Sequence, residues 1–94
     1  MNPEYLVGSE KIRLKIAEIF KCEGRKIAAV GFVGSTPLEY LPIGISNLKV
    51  ICWPKVGSTM ANGVRALLSK KIPVYFCNKL HSKIFWTENN GIII

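Results

Sequence analysis

The sequence contains no aspartate, a single histidine and no long apolar run. A membrane-spanning helix needs roughly 18 or more consecutive apolar residues, which this chain does not provide. The first residues carry Glu4 and Glu10 and lack the basic-then-apolar order of a signal peptide. We therefore expect a soluble, cytoplasmic protein without a membrane span.

The chain also has few metal-ligating side chains. Its cysteines, Cys22, Cys52 and Cys77, are odd in number and widely spaced, with no Cys-x-x-Cys pair and one histidine to assist them. This usage favours neither a disulfide framework nor a zinc site. We expect reduced thiols, no metal and no cofactor.

Charge of one sign dominates. Thirteen Lys and Arg against six Glu give a formal charge of +7, and such an excess on a small domain favours polyanionic partners. Nucleic acid is the first candidate, with DNA ahead of RNA, and an anionic membrane surface is the second. A basic surface with scattered charges and no dedicated partner is the alternative.

The N-terminal region, residues 1–24, predicts one amphipathic helix. Ser9 can cap a helix whose apolar residues recur at three- and four-residue spacing, and Gly24 is the expected stop. These apolar residues are Ile12, Ile16, Ile19 and Phe20. Residues 25–94 then carry the sheet.

The rest of the chain alternates strand and helix. Residues 27–33 and 48–53 are apolar runs typical of central strands buried on both faces by helices, and Gly31 predicts close backbone approach. A short helical piece at residues 38–41, a helix at 60–70 and a strand at 74–77 complete the pattern. The sequence predicts one α/β domain, with a largely parallel sheet flanked by helices and a C-terminal antiparallel hairpin.

The last segment holds the only histidine. Residues 80–86 predict a strand, and Asn90-Gly91 predicts a hairpin turn to a final strand. Strand alternation would place His81 and Lys83 on one face, Cα atoms roughly 6.6 Å apart, so that both could contact one phosphate. Phe85 would share that face and could stack on a base, whereas Trp86 would lie in the core. Packing in the core is the alternative for Phe85.

This His81-x-Lys83 strand, with its preceding elements, resembles the first part of the His-x-Lys-(x4)-Asp-(x6)-Gly-Ser signature of the phospholipase D superfamily. The resemblance covers residues 26–94 and implies a phospholipase D-like fold. It also implies a metal-independent phosphodiesterase that acts through a phosphohistidine, with His81 as nucleophile and acid/base and Lys83 as phosphate clamp. Because one histidine cannot fill both roles, it implies a homodimer.

Two positions depart from the family signature. Glu88 stands where the family has Asp and would organise the motif. The family's Gly-Ser and later Asn would follow Ile94, so we expect the single domain of residues 1–94 to be incomplete at its C-terminus.

Residues 57–59 introduce the helix at 60–70. Ser58 or Thr59 could bind substrate phosphate at the helix start, although an ordinary helix cap is the alternative. Trp53 could line the mouth of the same cleft, because ligands of open α/β sheets collect at the carboxyl ends of strands.

Charge and resemblance together predict a phosphodiesterase that acts on nucleic acid, as a nuclease or as the nuclease module of a larger restriction or helicase protein. A non-catalytic nucleic-acid-binding or dimerisation module on the same fold is the first alternative. A phospholipid-acting phosphodiesterase is the second.

Overall fold

The domain is built on one five-stranded sheet. A computed structural model describes residues 9–57, 59–81, 83–88 and 91–93. None of the helices in these residues is long and apolar enough to cross a membrane. In chain order the elements are α1 (Ser9–Ile19), β1 (Lys26–Val30), a 3-10 helix (Pro37–Tyr40), β2 (Leu48–Cys52), α2 (Ala61–Ser69), β3 (Val74–Phe76), β4 (Lys83–Thr87) and β5 (Gly91–Ile93).

The strand order is β3-β2-β1-β4-β5, and the sheet is mixed. β1, β2 and β3 are parallel, whereas β4 runs antiparallel to β1 and β5 antiparallel to β4. The predicted α/β class and the antiparallel pairing of the last two strands are confirmed, but the sheet is not largely parallel, because two of its four strand pairings are parallel and two are antiparallel. The Asn90 turn lies outside the described residues.

All three helices pack on the same face of the sheet, so the prediction that helices would cover both faces is wrong. Successive parallel strands step in one direction across the sheet, and the right-handed rule then places both crossovers on one side. α1 joins the same layer. The buried cluster between helices and sheet comprises Ile16, Ile19, Phe20, Ala28, Val33, Leu48, Val50, Cys52, Leu67 and Ile72.

The opposite face of the sheet is apolar and carries no helix from the described part of the chain. Tyr75 and Trp86 are exposed there, at 51% and 37%, and Lys49 is also exposed. Ile27, Ala29, Ile51 and Ile84 lie between them and are half-buried.

A buried lysine closes the amino end of β1. Lys26 is 1% exposed, and its ammonium donates to the carbonyl oxygens of Gly24 at 2.9 Å and Ser46 at 2.7 Å. Hydrogen bonds of this kind offset the cost of removing a cation from water. Lys26 therefore ties the turn after α1 to the loop before β2 and is part of the framework of the domain.

Candidate active site

The candidate site lies where β1, β2 and β3 end. The carboxyl ends of parallel strands meet at one edge of a sheet, and β4 begins at this edge because it runs antiparallel to β1, with Lys83 opposite Val30. The residues that follow β2 and those that precede β4 therefore meet. They bring Trp53, Lys55 and His81 together.

His81 lies just before β4, so the prediction that it belongs to the strand is wrong. β1 ends at Val30, the partner of Lys83, and offers His81 no ladder position. The chain instead crosses over Gly31, where a Cβ would stand 2.5 Å from the Leu80 carbonyl oxygen and 3.5 Å from the His81 Cα. Close backbone approach at Gly31, which the sequence predicted, is confirmed, and it fixes the backbone that carries His81.

The His81 side chain is exposed and contacts one aromatic ring. Its imidazole meets the Trp53 indole edge to face, with ring centroids 4.9 Å apart and an interplanar angle of 76°. The Lys55 ammonium lies 5.0 Å from the centroid of the same indole, within cation–π distance. Trp53 thus contacts both the imidazole of His81 and the ammonium of Lys55.

Thr59 helps to join two loops at this edge of the sheet. Its hydroxyl donates to the Trp53 carbonyl oxygen at 2.6 Å, and the next amide, of Met60, donates to the Val33 carbonyl at 2.8 Å. The loops after β1 and β2 are joined in this way. The predicted cap on α2 is wrong for Thr59, because α2 has Met60 as its N-cap and no side-chain cap hydrogen bond; Ser58 lies outside the described residues.

A buried thiol lies beneath this support. Burial raises the pKa of Cys52, and a hydrogen bond with Thr59 opposes that rise in part. Cys52 is fully buried, which fits the reduced thiol expected from the sequence. Cys77, by contrast, is exposed at the same edge of the sheet.

Lys83 begins β4 and lines a cavity under the helices. Two residues of chain span at most about 7 Å between the Cα atoms of His81 and Lys83. An imidazole and a long, exposed ammonium at that separation remain close enough to contact one phosphate. The two side chains nonetheless have different neighbours, since His81 contacts Trp53 and Lys83 faces the cavity.

Glu88 lies at the other end of the sheet. It follows β4 directly, roughly 17 Å along the strand from Lys83. The prediction that Glu88 organises the His81 motif is not supported by this position. Its carboxylate accepts hydrogen bonds from the Arg25 amide at 3.0 Å and the Arg25 Nε at 2.9 Å. These bonds, the amide first, lower the pKa of Glu88 from its ordinary value of 4.5.

The lowered pKa predicts a pH-dependent role in stability. A carboxylate whose pKa is lower in the folded state than in the unfolded state stabilises the folded state at pH values above the unfolded-state pKa. This contribution is lost as the pH falls through the folded-state pKa. We expect Glu88→Gln to lower the melting temperature at about pH 7, with the difference from wild type narrowing as the pH falls below the ordinary glutamate pKa of 4.5. Thermal unfolding by circular dichroism measures it.

The control for this prediction is Glu23→Gln, which removes the same charge at another exposed residue. A Glu88→Gln deficit that stays constant down to the lowest pH would contradict the role of the carboxylate charge.

Phe85 and Trp86 exchange their predicted places. Phe85 is half-buried and packs on Phe20, the residue that follows α1, with ring centroids 6.1 Å apart, whereas Trp86 is exposed on the open face of the sheet. The exchange follows from the single helix layer, which covers the face that Phe85 shares with Lys83. Phe85 is thus a packing residue, as the alternative left open by the sequence had it, and Trp53 is the aromatic ring that contacts His81.

The site lies in a segment of uniform charge. From Tyr40 to Thr87 the sequence has no carboxylate and seven Lys or Arg residues. Lys55 and Lys79, both exposed, join His81 and Lys83 near this edge. Trp53 was predicted to line the cleft, whereas Lys55 was not predicted as a site residue, although its position two residues after Trp53 at a strand end was a usable signal.

Within the described residues, no three His, Cys, Asp or Glu side chains form a group that could hold a metal ion. No protein-family model, curated protein or solved structure matches this chain. The site must therefore be interpreted from its own geometry and charge.

Proposed function

We propose that this chain is a metal-independent phosphodiesterase of phospholipase D type that acts on nucleic acid, DNA in the first instance. The observation that carries the proposal is the position of His81. It is exposed at the carboxyl edge of the parallel strands, held by Trp53 and by the backbone crossing at Gly31. Lys83 follows two residues later, and no carboxylate of the described residues is paired with either side chain.

In this proposal each side chain has one task. An imidazole nitrogen of His81 attacks phosphorus, forming the P–N bond while the P–O bond to the leaving strand breaks. Lys83 and Lys55 neutralise the phosphate oxygens. The leaving oxygen takes its proton from His81 of a second copy, which then removes a proton from the water that hydrolyses the phosphohistidine. The proposed enzyme is accordingly a homodimer, in the cytoplasm.

The charge distribution favours nucleic acid over lipid as the substrate. A polyphosphate backbone can contact several cations at once, and this edge offers Lys55, Lys79 and Lys83. Trp53 supplies an aromatic ring beside them, as proteins that bind single strands do. A phospholipid-acting phosphodiesterase is the weaker form of the same proposal.

The second candidate is a non-catalytic nucleic-acid-binding or dimerisation module. The position of Glu88 favours it, because the only carboxylate in the motif is bound to Arg25 far from His81. Binding requires only the cations and the aromatic ring, whereas turnover also requires a second histidine.

The experiment is cleavage of plasmid and single-stranded DNA by the 94-residue chain in excess EDTA, together with binding of the same DNA at several salt concentrations. Phosphohistidine chemistry predicts cleavage that EDTA spares. Cation-phosphate contacts predict affinity that falls steeply with salt, at a slope of about −0.9 per phosphate for duplex DNA.

The outcomes separate the candidates. Cleavage in EDTA supports the enzyme, and salt-dependent binding without cleavage supports the module. If the chain neither binds nor cuts DNA but hydrolyses phosphatidylcholine vesicles, the substrate is lipid. If it does none of these, both candidates fail.

A further inference from the structure

The helix layer and the sheet form a second feature, a cavity of about 350 Å³ that is open to solvent on one side. We propose that this cavity binds a small apolar anion, an aromatic carboxylate of about two rings, with Lys83 as its counter-ion. The cavity includes neither Trp53 nor His81 and shares only Lys83 with the proposed phosphodiesterase site. Its ligand would be a regulator or a second substrate group.

The floor of the cavity is apolar because of the sequence of the sheet. Ala28 lies in the centre of β1, between Val50 of β2 and Phe85 of β4. Its single methyl group leaves space that the helices above, through Ile16 and Leu67, do not fill. Protein interiors seldom hold voids larger than a water molecule. A volume of this size is typical instead of a small-molecule pocket.

The polar groups of the cavity lie among its exposed lining residues. Lys83 is the single charged residue of the lining, and it is joined by the hydroxyl-bearing residues Thr36 and Tyr40. All three are exposed, as is Phe32 at 52%. An apolar floor with one cation and two hydroxyls near solvent matches a ligand with an apolar body and one anionic end.

The volume limits the size of the ligand. A cavity of about 150 Å³ accommodates benzene, so this one, at about 350 Å³, accommodates roughly two fused rings. The carboxylate of the ligand would contact the Lys83 ammonium, which the proposed function assigns to the substrate phosphate. Binding of such a ligand would therefore compete with nucleic acid.

The experiment measures binding of 2-naphthoate and of its uncharged methyl ester by fluorescence titration. Lys83→Met keeps the apolar stem and removes the charge, and Lys49→Met removes a charge from the opposite face of the sheet as a control. Loss of a charge-assisted hydrogen bond predicts roughly tenfold or greater weakening of naphthoate binding to Lys83→Met. The ester should bind both variants as it binds wild type.

A second variant tests the location. Ala28→Leu adds three carbon atoms to the cavity and should weaken the binding of both probes, with circular dichroism as the check that the variant keeps the native fold. Independently, naphthoate binding to wild type should shift the methyl resonances of Ile16 and Leu67. Absence of naphthoate binding to wild type would overturn the proposal, as would unchanged binding to Lys83→Met. Neither readout requires cleavage, so failure of the phosphodiesterase proposal is distinguishable from failure of this one.

Discussion

Replacement of His81 by Gln is expected to abolish cleavage of DNA in EDTA while leaving DNA binding almost unchanged. His81 carries the single imidazole of the sequence, and an imidazole nitrogen can both attack phosphorus and transfer a proton. Groups with this role typically contribute at least about 10²–10⁴ in rate. We therefore expect turnover to fall by at least that factor.

Glutamine is the appropriate replacement because it keeps a polar side chain beside Trp53 but cannot form the phosphohistidine. DNA affinity and its salt dependence should stay within about twofold of wild type, since the cations that we propose to contact phosphate remain. The matched control is Lys49→Ala, which changes an exposed side chain on the open face of the sheet. Cleavage retained by His81→Gln would show that the activity arises elsewhere.

The structure makes a second strong prediction, on stability, at Gly63 in α2. Gly63 is buried, and a Cβ there would overlap the carbonyl oxygen of Gly34 in the loop after β1, with Val33 also in contact. Alanine is a better helix former than glycine by about 1 kcal/mol. The carbonyl oxygen of Gly34, however, is a backbone atom and cannot move aside by a change of rotamer as a side chain can. We expect Gly63→Ala to lower the free energy of unfolding by about 3 kcal/mol.

Such a loss corresponds to a decrease in melting temperature of more than about 10 °C for a domain of this size. Gly34→Ala is the matched control, because a Cβ at Gly34 would meet only the Phe32 ring, 3.5 Å away, which is an ordinary contact. Calorimetry of the two variants measures the difference. A Gly63→Ala protein as stable as the control would mean that α2 does not lie against this loop.

The sequence predicted the order of the elements because each carries its signal locally. The apolar run around Ala28 and the three- and four-residue spacing in α1 depend only on neighbouring residues. Gly31 was predictable for the same reason, since a glycine inside an apolar strand run indicates close backbone approach. His81 and Lys83 were predicted as site residues from their spacing together with the order of the elements that precede them.

The positions that the sequence missed depend on contacts between distant segments. Glu88 binds Arg25, 63 residues earlier in the chain, because β4 lies antiparallel to β1, a pairing that no local pattern reveals. The exchange of Phe85 and Trp86 has a similar cause, since strand alternation separates the two faces but does not say which one the helices cover.

By itself, the sequence determined an α/β domain of high positive charge, with one histidine two residues from a lysine. The tertiary structure alone decided that β4 joins β1 in the antiparallel sense and that all described helices lie on one face. Those two outcomes place His81 against Trp53, which Lys55 also contacts, put Glu88 at the other end of the sheet and leave the cavity above Ala28. The reason is physical: alternation and helical period are encoded over a few residues, whereas the pairing of distant strands follows from burying the whole apolar surface at once.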